Sequence, residues 1–355
     1  KMIYRKYFLS FFLIVQIIFL QLISYFPSFI ENYYSNGIFS YLSKIERLLF
    51  GWIYFSVGDI LYFFCLIYLL IQLFKIKNKK PISWSNYFLK IINKISVIYF
   101  VFHLMWGFNY YRIPLFEKMK INKEYSKSDL IYFTERLIQK TNEVHFEITK
   151  NENEKVTIAF DNNNMFNIAQ IGYKNVSNQY PFFTYSNPSQ KESLFSKLLT
   201  YMGFSGYLNP ITNEMQVNYL IPKTYKPMVV CHEMAHQIGY ASESECNFIG
   251  FLASSKSGNL FFQYSGYANA LRYCLALIAS EDKTLFNQLV SKLNKGILID
   301  FKENEQFWKS YDSFIEKGFH AFYDQYLKIN QQKDGISSYS KFIDLLINYY
   351  RNKVL

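Results

Sequence analysis

Residues 229–247 read VVCHEMAHQIGYASESECN, and the order His232-Glu233-x-x-His236 within them carries a definite chemistry. On a helix, positions i and i+4 share a face, so His232 and His236 can hold one zinc ion between their imidazoles. Glu233 then points toward a zinc-bound water. Zinc lowers the pKa of that water, and the carboxylate takes its proton as it attacks a carbonyl. Val229, Val230 and Ile238 flank the motif and predict a buried helix rather than a solvated one. Gly239 follows His236 by three residues and suits a left-handed turn that ends the helix. The chain can then fold back and present a carboxylate to the open side of the ion. Glu243 and Glu245 compete for that third position. They lie two residues apart, about 200° around a helix, so only one of them can face the metal.

Other residues have weaker claims. Tyr264, Tyr267, Arg272 and Tyr273 follow the motif and are candidates to stabilise a tetrahedral oxyanion. The rival reading is plain packing, since the chain has 32 Tyr. His145 and His320 stand alone, without ligand spacing. Residues 212–218, with Gln216 and Asn218, form either an edge strand that pairs with an extended substrate or an ordinary hairpin.

These residues must be positioned by a chain of 355 residues that is one-fifth aromatic and 18% charged. Its apolar residues concentrate in the first 108, where 11 Lys or Arg face three Asp or Glu. That segment therefore holds +8 of the net +11, and the excess flanks apolar runs instead of forming a basic stripe. This distribution argues for a lipid bilayer and against nucleic acid. Tyr7–Ile30 has no charge, Gly51–Phe74 has only Asp59, and a third apolar run covers roughly Tyr87–Phe108. Each has near-bilayer length, so three N-terminal transmembrane helices are expected in residues 1–108. The first is expected to be a retained anchor, because no small-residue cleavage site follows it. Lys1, Arg5 and Lys6 precede the first run, and Lys75, Lys77, Lys79 and Lys80 follow the second. The N-terminus is thus expected in the cytoplasm and residues 109–355 outside it. Asp59 and His103 fall at similar depths, about 12 Å and 8 Å from the outer ends of their helices, which predicts a hydrogen bond or ion pair between them.

The remainder reads as mostly α with a small β element, an α+β arrangement. Residues 127–140 have helical spacing through Leu130, Phe133 and Leu137, and residues 193–202 read as a second helix. Glu154–Phe160 looks like a strand. Alternation through Met215, Val217 and Tyr219 predicts a hairpin just before the motif. From Glu281 onward the pattern is helical, with Gly335 as a stop and Ser337 or Ser338 as a cap. Four Cys without a C-x-x-C pair exclude a disulfide scaffold, leaving at most one bridge among Cys231, Cys246 and Cys274.

The stretch HEMAHQIGYASESECNFIGFLA, together with FSVGDILY, WGFNYYRIPL and GYLNPITNEMQVN, resembles an uncharacterised bacterial membrane family with a zinc-metallopeptidase-like site, domain of unknown function 3810. The resemblance covers most of the chain. It implies a three-span anchor in a bacterial cytoplasmic membrane, carrying an extracytoplasmic zincin-like metalloprotease domain over residues 109–355. The motif also resembles the wider gluzincin pattern. There a Glu on the following helix completes the zinc site, and an acidic residue four positions later supports a ligand His. Asn247 occupies that later position if Glu243 is the ligand, and Cys246 shares the same face. With Glu245 as ligand this support is lost. The expectation is therefore Glu243 on the metal, with Glu245 directed to Arg272 or to a backbone donor.

Two functions compete. One is a membrane-anchored zinc peptidase acting on a peptide or protein outside the cytoplasm, with Glu233 as general base. The other is a non-catalytic, zinc-containing subunit of a membrane protein assembly. The intact Glu233 favours the first. A transporter would need more spans or a polar path through them.

Overall fold

The computed structural model describes residues 2–77, 83–159 and 161–355. Lys1, Lys79 and Lys80, on which the orientation reading partly rests, lie outside the described residues, as does Phe160. The chain is mostly helical with one small three-stranded sheet.

The N-terminal apolar run is not a single straight rod. Its helix, Met2–Ile23, stops before Pro27, and the chain bends by 100° into the helical segment that ends at Phe50. Pro27 explains the position of the break, because proline lacks the N–H that would continue the ladder. Residues Ile30–Ile38 beyond it are wound as a π-helix. Two helices, Val57–Lys75 and Trp84–Met105, are long and apolar enough to cross a membrane, and the bent pair would make a third.

The second of the expected runs starts later than Gly51. Its helix begins at Val57, where the Glu214 carboxylate accepts from the backbone N–H groups of Val57 (3.1 Å) and Gly58 (2.6 Å). A carboxylate at a helix N-terminus satisfies orphan donors and suits the helix dipole. Gly58 leaves room for this approach, since a Cβ there would lie 2.4 Å from the Asn209 amide nitrogen.

Asp59 does not pair with His103. Its carboxylate accepts from Ser193 Oγ (3.0 Å), from the Leu194 backbone N–H (2.7 Å) and from the Tyr207 hydroxyl. The His103 Nδ1 instead bonds the Tyr99 carbonyl one turn back on its own helix. Similar depth did not bring the two together because the region around the sheet supplies Asp59 with three donors.

The sheet has the order β1-β3-β2, with β1 Gln190–Glu192, β2 Gly206–Leu208 and β3 Met215–Val217. β1 runs parallel to β3, and β2 runs antiparallel to it. β3 is therefore central, so of the two readings of residues 212–218 the free edge for substrate is ruled out and the hairpin, made with β2, is the one found. Both backbone edges of β3 are occupied, and its side chains are committed. Gln216 Nε2 donates to Ser56 Oγ (2.5 Å), and Asn218 Nδ2 donates to Thr200 Oγ1 (2.8 Å).

Residues 154–159 pair with no strand. The Val156 N–H goes instead to the Asp300 carboxylate (3.3 Å), so this segment packs on helix Lys295–Lys309. Gly335 does not stop a helix either. Helix Phe314–Ile329 has already ended, and Gly335, at φ +56°, opens a 3₁₀ turn. The expected helix over residues 127–140 extends to Thr149 and starts with a Ser126–Asp129 capping box. All four cysteines are free.

The main core surrounds two helices, Lys226–Gln237 and Glu243–Ser255, and every residue of the first is buried. Its polar Lys226, His232, Glu233, His236 and Gln237 are buried along with its apolar residues, and this helix carries the motif. Helices Asn162–Gln179 and Leu260–Glu281 pack on the pair, and Lys127–Thr149 packs in turn on Leu260–Glu281.

One buried acid beside this core has a pH signature. Burial pushes the Asp300 carboxyl up to about 6, against the opposing effect of hydrogen bonds from Tyr264 and Val156. Between about pH 4 and pH 6 the folded chain keeps this proton and the unfolded chain releases it. Stability from this group is thus present below about pH 4 and is lost as pH rises toward 6. Thermal melts from pH 4 to 7 should show that slope in the parent chain and a shallower one in Asp300→Asn. Identical slopes would place the titration elsewhere.

Candidate metal centre

His232 and His236 sit one turn apart on the motif helix, with their Nε2 atoms 3.1 Å from each other. The helix ends at Gln237, and Gly239 adopts φ +93°, donating its N–H to the His236 carbonyl (2.9 Å). A side chain at Gly239 would be strained in φ and would strike the Phe39 ring, 2.8 Å from a Cβ. Arg112 fixes the turn. Its Nη1 donates to the Gly239 carbonyl (2.7 Å), its guanidinium lies over the Tyr240 ring, and its other nitrogens grip Glu31. The next helix then starts at Glu243. It lies close against the motif helix because Gly250 has no side chain, and a Cβ there would be 3.0 Å from the His232 backbone nitrogen.

This return brings Glu243 to the imidazoles. Its Oε2 lies 3.1 Å from His232 Nε2 and 3.5 Å from His236 Nε2. Donors held about 2.0–2.2 Å from a tetrahedral ion sit about 3.3–3.6 Å apart, and the three edges here, 3.1, 3.1 and 3.5 Å, are close to such a triangle with two of them slightly short. All three donor atoms lie within 4.8 Å of one another, and the cluster could hold a metal ion. The buried Oε2 of Glu243 accepts no well-directed hydrogen bond, and neither does Glu233 Oε2. Two buried carboxylate oxygens without donors fit a place for a cation.

The surrounding groups orient the donors. His232 Nδ1 donates to Asn247 Oδ1 (2.8 Å), and His236 Nδ1 donates to the Tyr240 carbonyl (2.8 Å). Both imidazoles thereby turn the Nε2 lone pair toward the cluster, the arrangement that orients metal-binding histidines. The Tyr323 hydroxyl donates to Glu243 Oε1 (2.6 Å), leaving Oε2 for the cluster. Cys246 Sγ donates to the Tyr240 carbonyl (3.1 Å) and touches His236 Nδ1.

Burial would raise the Glu243 carboxyl, but the two imidazoles override it and hold the group well below the usual range. His236 moves up despite burial, through Cys246 and Glu243. Burial pushes Glu233 up to about 7, against the pull of both histidines. Glu245 faces away and accepts from the Leu115 N–H (2.5 Å). The partner is thus a backbone donor and not Arg272, whose guanidinium lies over Phe301.

The expected oxyanion candidates mostly fall elsewhere. The Tyr264 hydroxyl donates to Asp300, and Tyr267 packs on Phe251. Tyr264, Tyr267 and Arg272 do not border the space in front of the histidines, whereas Tyr273 does. His320 and Tyr323 also border it, both from helix Phe314–Ile329. His145 is held by the Glu154 carbonyl, far from this space.

Two cavities meet at His232 and Glu233. One, of roughly 400 Å³, is lined in part by Ser205, Asn247, Asn269 and His320. The other, of roughly 630 Å³, also touches His236 and Glu243 and has mostly apolar walls. β2 is an outer strand and backs Glu233 directly, since a Cβ on Gly206 would lie 2.7 Å from Glu233 Oε1.

Fold and site together define a mostly helical chain with two or three helices long and apolar enough to cross a membrane, and a buried His-His-Glu cluster beside a second carboxylate. The chain belongs to the family described as Protein of unknown function (DUF3810), whose family model matches residues 34–347. No curated protein and no solved structure matches it.

Proposed function

We propose that this chain is a membrane-anchored zinc-dependent peptidase with a zincin-like domain, hydrolysing a peptide bond outside the cytoplasmic membrane of a bacterium. The observation that carries the reading is the His232–His236–Glu243 triangle with Glu233 bordering the same space. Two imidazoles and one carboxylate, with an open fourth side, are a donor set suited to catalytic zinc. When bound, the ion supplies Lewis acidity, lowering the pKa of a water and polarising a carbonyl.

The chain's own groups do the rest. Glu233, buried and pushed up to about 7, takes a proton from the attacking water. The water oxygen bonds to the carbonyl carbon, the C–N bond breaks, and Glu233 passes the proton to the departing nitrogen. Asn247 and the Tyr240 carbonyl keep both imidazoles in register. β2 supplies the outer strand beside which an extended peptide can lie.

Zinc quantitation tests the first step. Chain purified in zinc-replete medium should carry about one zinc per molecule, and a mixed-sequence peptide pool should be cleaved by it. Metal-free chain would overturn the proposal. Orientation has its own test. In a background without native cysteines, a cysteine at Asp334 should react with an impermeant thiol reagent in intact cells, and one at Lys79 should be shielded. The reverse pattern would put the cluster in the cytoplasm.

A further inference from the structure

The geometry points to a substrate that carries a single hydrocarbon chain, a lipidated peptide drawn from the membrane with its chain lying in the apolar cavity beside the cluster. This inference rests on the peptidase reading and names the substrate class for that same site.

The cavity's position is the first argument. Tyr62, Phe63 and Leu66 border it from helix Val57–Lys75, and Phe102 and Trp106 border it at the end of helix Trp84–Met105. Both helices are long and apolar enough to cross a membrane. Phe63 and Leu66 lie about 9 Å and 13 Å along the first of them from Val57, at 1.5 Å per residue. The space in front of the histidines therefore continues alongside a segment of bilayer type.

The rim is the second argument. Phe63, Leu66, Leu198 and Phe322 border the cavity and are 47–66% exposed. An apolar rim around an apolar space would face water at a cost. Facing lipid it costs little, and a hydrocarbon chain can cross it without leaving apolar surroundings.

The third argument is the contrast between the two cavities. They share His232, Glu233, Phe204, Gly206 and Tyr323, so the cluster stands at their junction. Ser205, Asn247, Asn269, Ser337 and Ser340 line the smaller cavity beside Tyr225, Met228, Val229 and Tyr273, so it offers amide and hydroxyl partners among apolar ones. A molecule that spans the junction can keep a purely apolar part on one side and meet scattered polar partners on the other. Size narrows the choice further. A helix is about 10–12 Å wide, so roughly 630 Å³ takes little more than one helical turn. The same volume falls in the range of clefts that enclose one small ligand, and an extended hydrocarbon chain fits it.

The test uses zinc-loaded full chain in lipid nanodiscs. The probes are a mixed-sequence decapeptide pool and the same pool with an N-terminal hexadecanoyl chain bearing a mid-chain diazirine. The acylated pool should be cleaved with a kcat/KM about tenfold higher or more, since the membrane delivers it at high local concentration. Photolysis should label residues of the apolar cavity. Leu198→Asp and Phe322→Asp, both at exposed rim positions, should each move the acylated-to-free ratio toward one and reduce the labelling. Equal cleavage of both pools with scattered labels would overturn the lipidated substrate while leaving the peptidase. Labels confined to the cavity without cleavage of either pool would overturn the peptidase and keep the chain-binding site. Scattered labels and no cleavage would overturn both.

Discussion

Glu233→Gln should purify with the same metal content and a melting temperature no lower than the parent's, and should lose about 10²–10⁴-fold in kcat. Gln keeps the shape of the side chain but cannot take a proton. Glu233 is not one of the three converging donors, so the ion's place is untouched. It nonetheless borders both cavities, with one oxygen that accepts no hydrogen bond. A buried carboxylate left without donors is costly, and a role in the chemistry would account for its being kept there. The paired measurement separates the two functional classes. A scaffold with structural zinc would show no hydrolysis in either chain. Full activity in the variant would remove Glu233 from the mechanism and leave the water's proton to another group.

The parts of the site that the sequence discloses are those set within about 20 residues. His232 and His236 meet because four residues make one turn, and Gly239 reverses the chain because it tolerates φ +93°. Glu243 and Asn247 reach the histidines because the return is short and the second helix repeats the same period. The helical character of residues 127–140 was equally visible, since its buried Leu130, Phe133 and Leu137 lie on one face.

What escaped depends on distant chain. Tyr323 reaches Glu243 across 80 residues, from a helix whose sequence marks neither it nor His320. Asp59 found Ser193, Leu194 and Tyr207 because the sheet region lies over its helix end, and depth along a span carries no information about that. The place of β3 in the middle of the sheet depends on β1. That strand is the three residues Gln190–Glu192, too short and too polar to show alternation. The break after Ile23 was within reach, as Pro27 interrupts the apolar run there.

Replacing Glu243 with Ala should weaken zinc binding by more than the 10–100-fold that loss of a supporting hydrogen bond to a ligand costs, and Asn247→Ala should fall within that range. The order follows from what each group touches. Glu243 contributes a donor oxygen 3.1 Å and 3.5 Å from the two imidazole nitrogens. Asn247 meets His232 on the far side of its ring, at Nδ1. Glu245 touches neither histidine. Its carboxylate takes the N–H of Leu115, which opens the short helix Leu115–Lys118. Glu245→Ala would leave that buried donor without a partner, costing about 1–3 kcal/mol, and should lower the melting temperature with zinc still bound. Competition titrations with a chromogenic chelator give the three affinities, and melts of the metal-free chains give the stabilities. A Glu245→Ala chain that loses zinc while Glu243→Ala retains it would reverse the helix register on which the whole site is built. The two carboxylates lie two residues apart, and the 200° between them sets Glu243 beside the histidines and Glu245 against the Leu115 N–H.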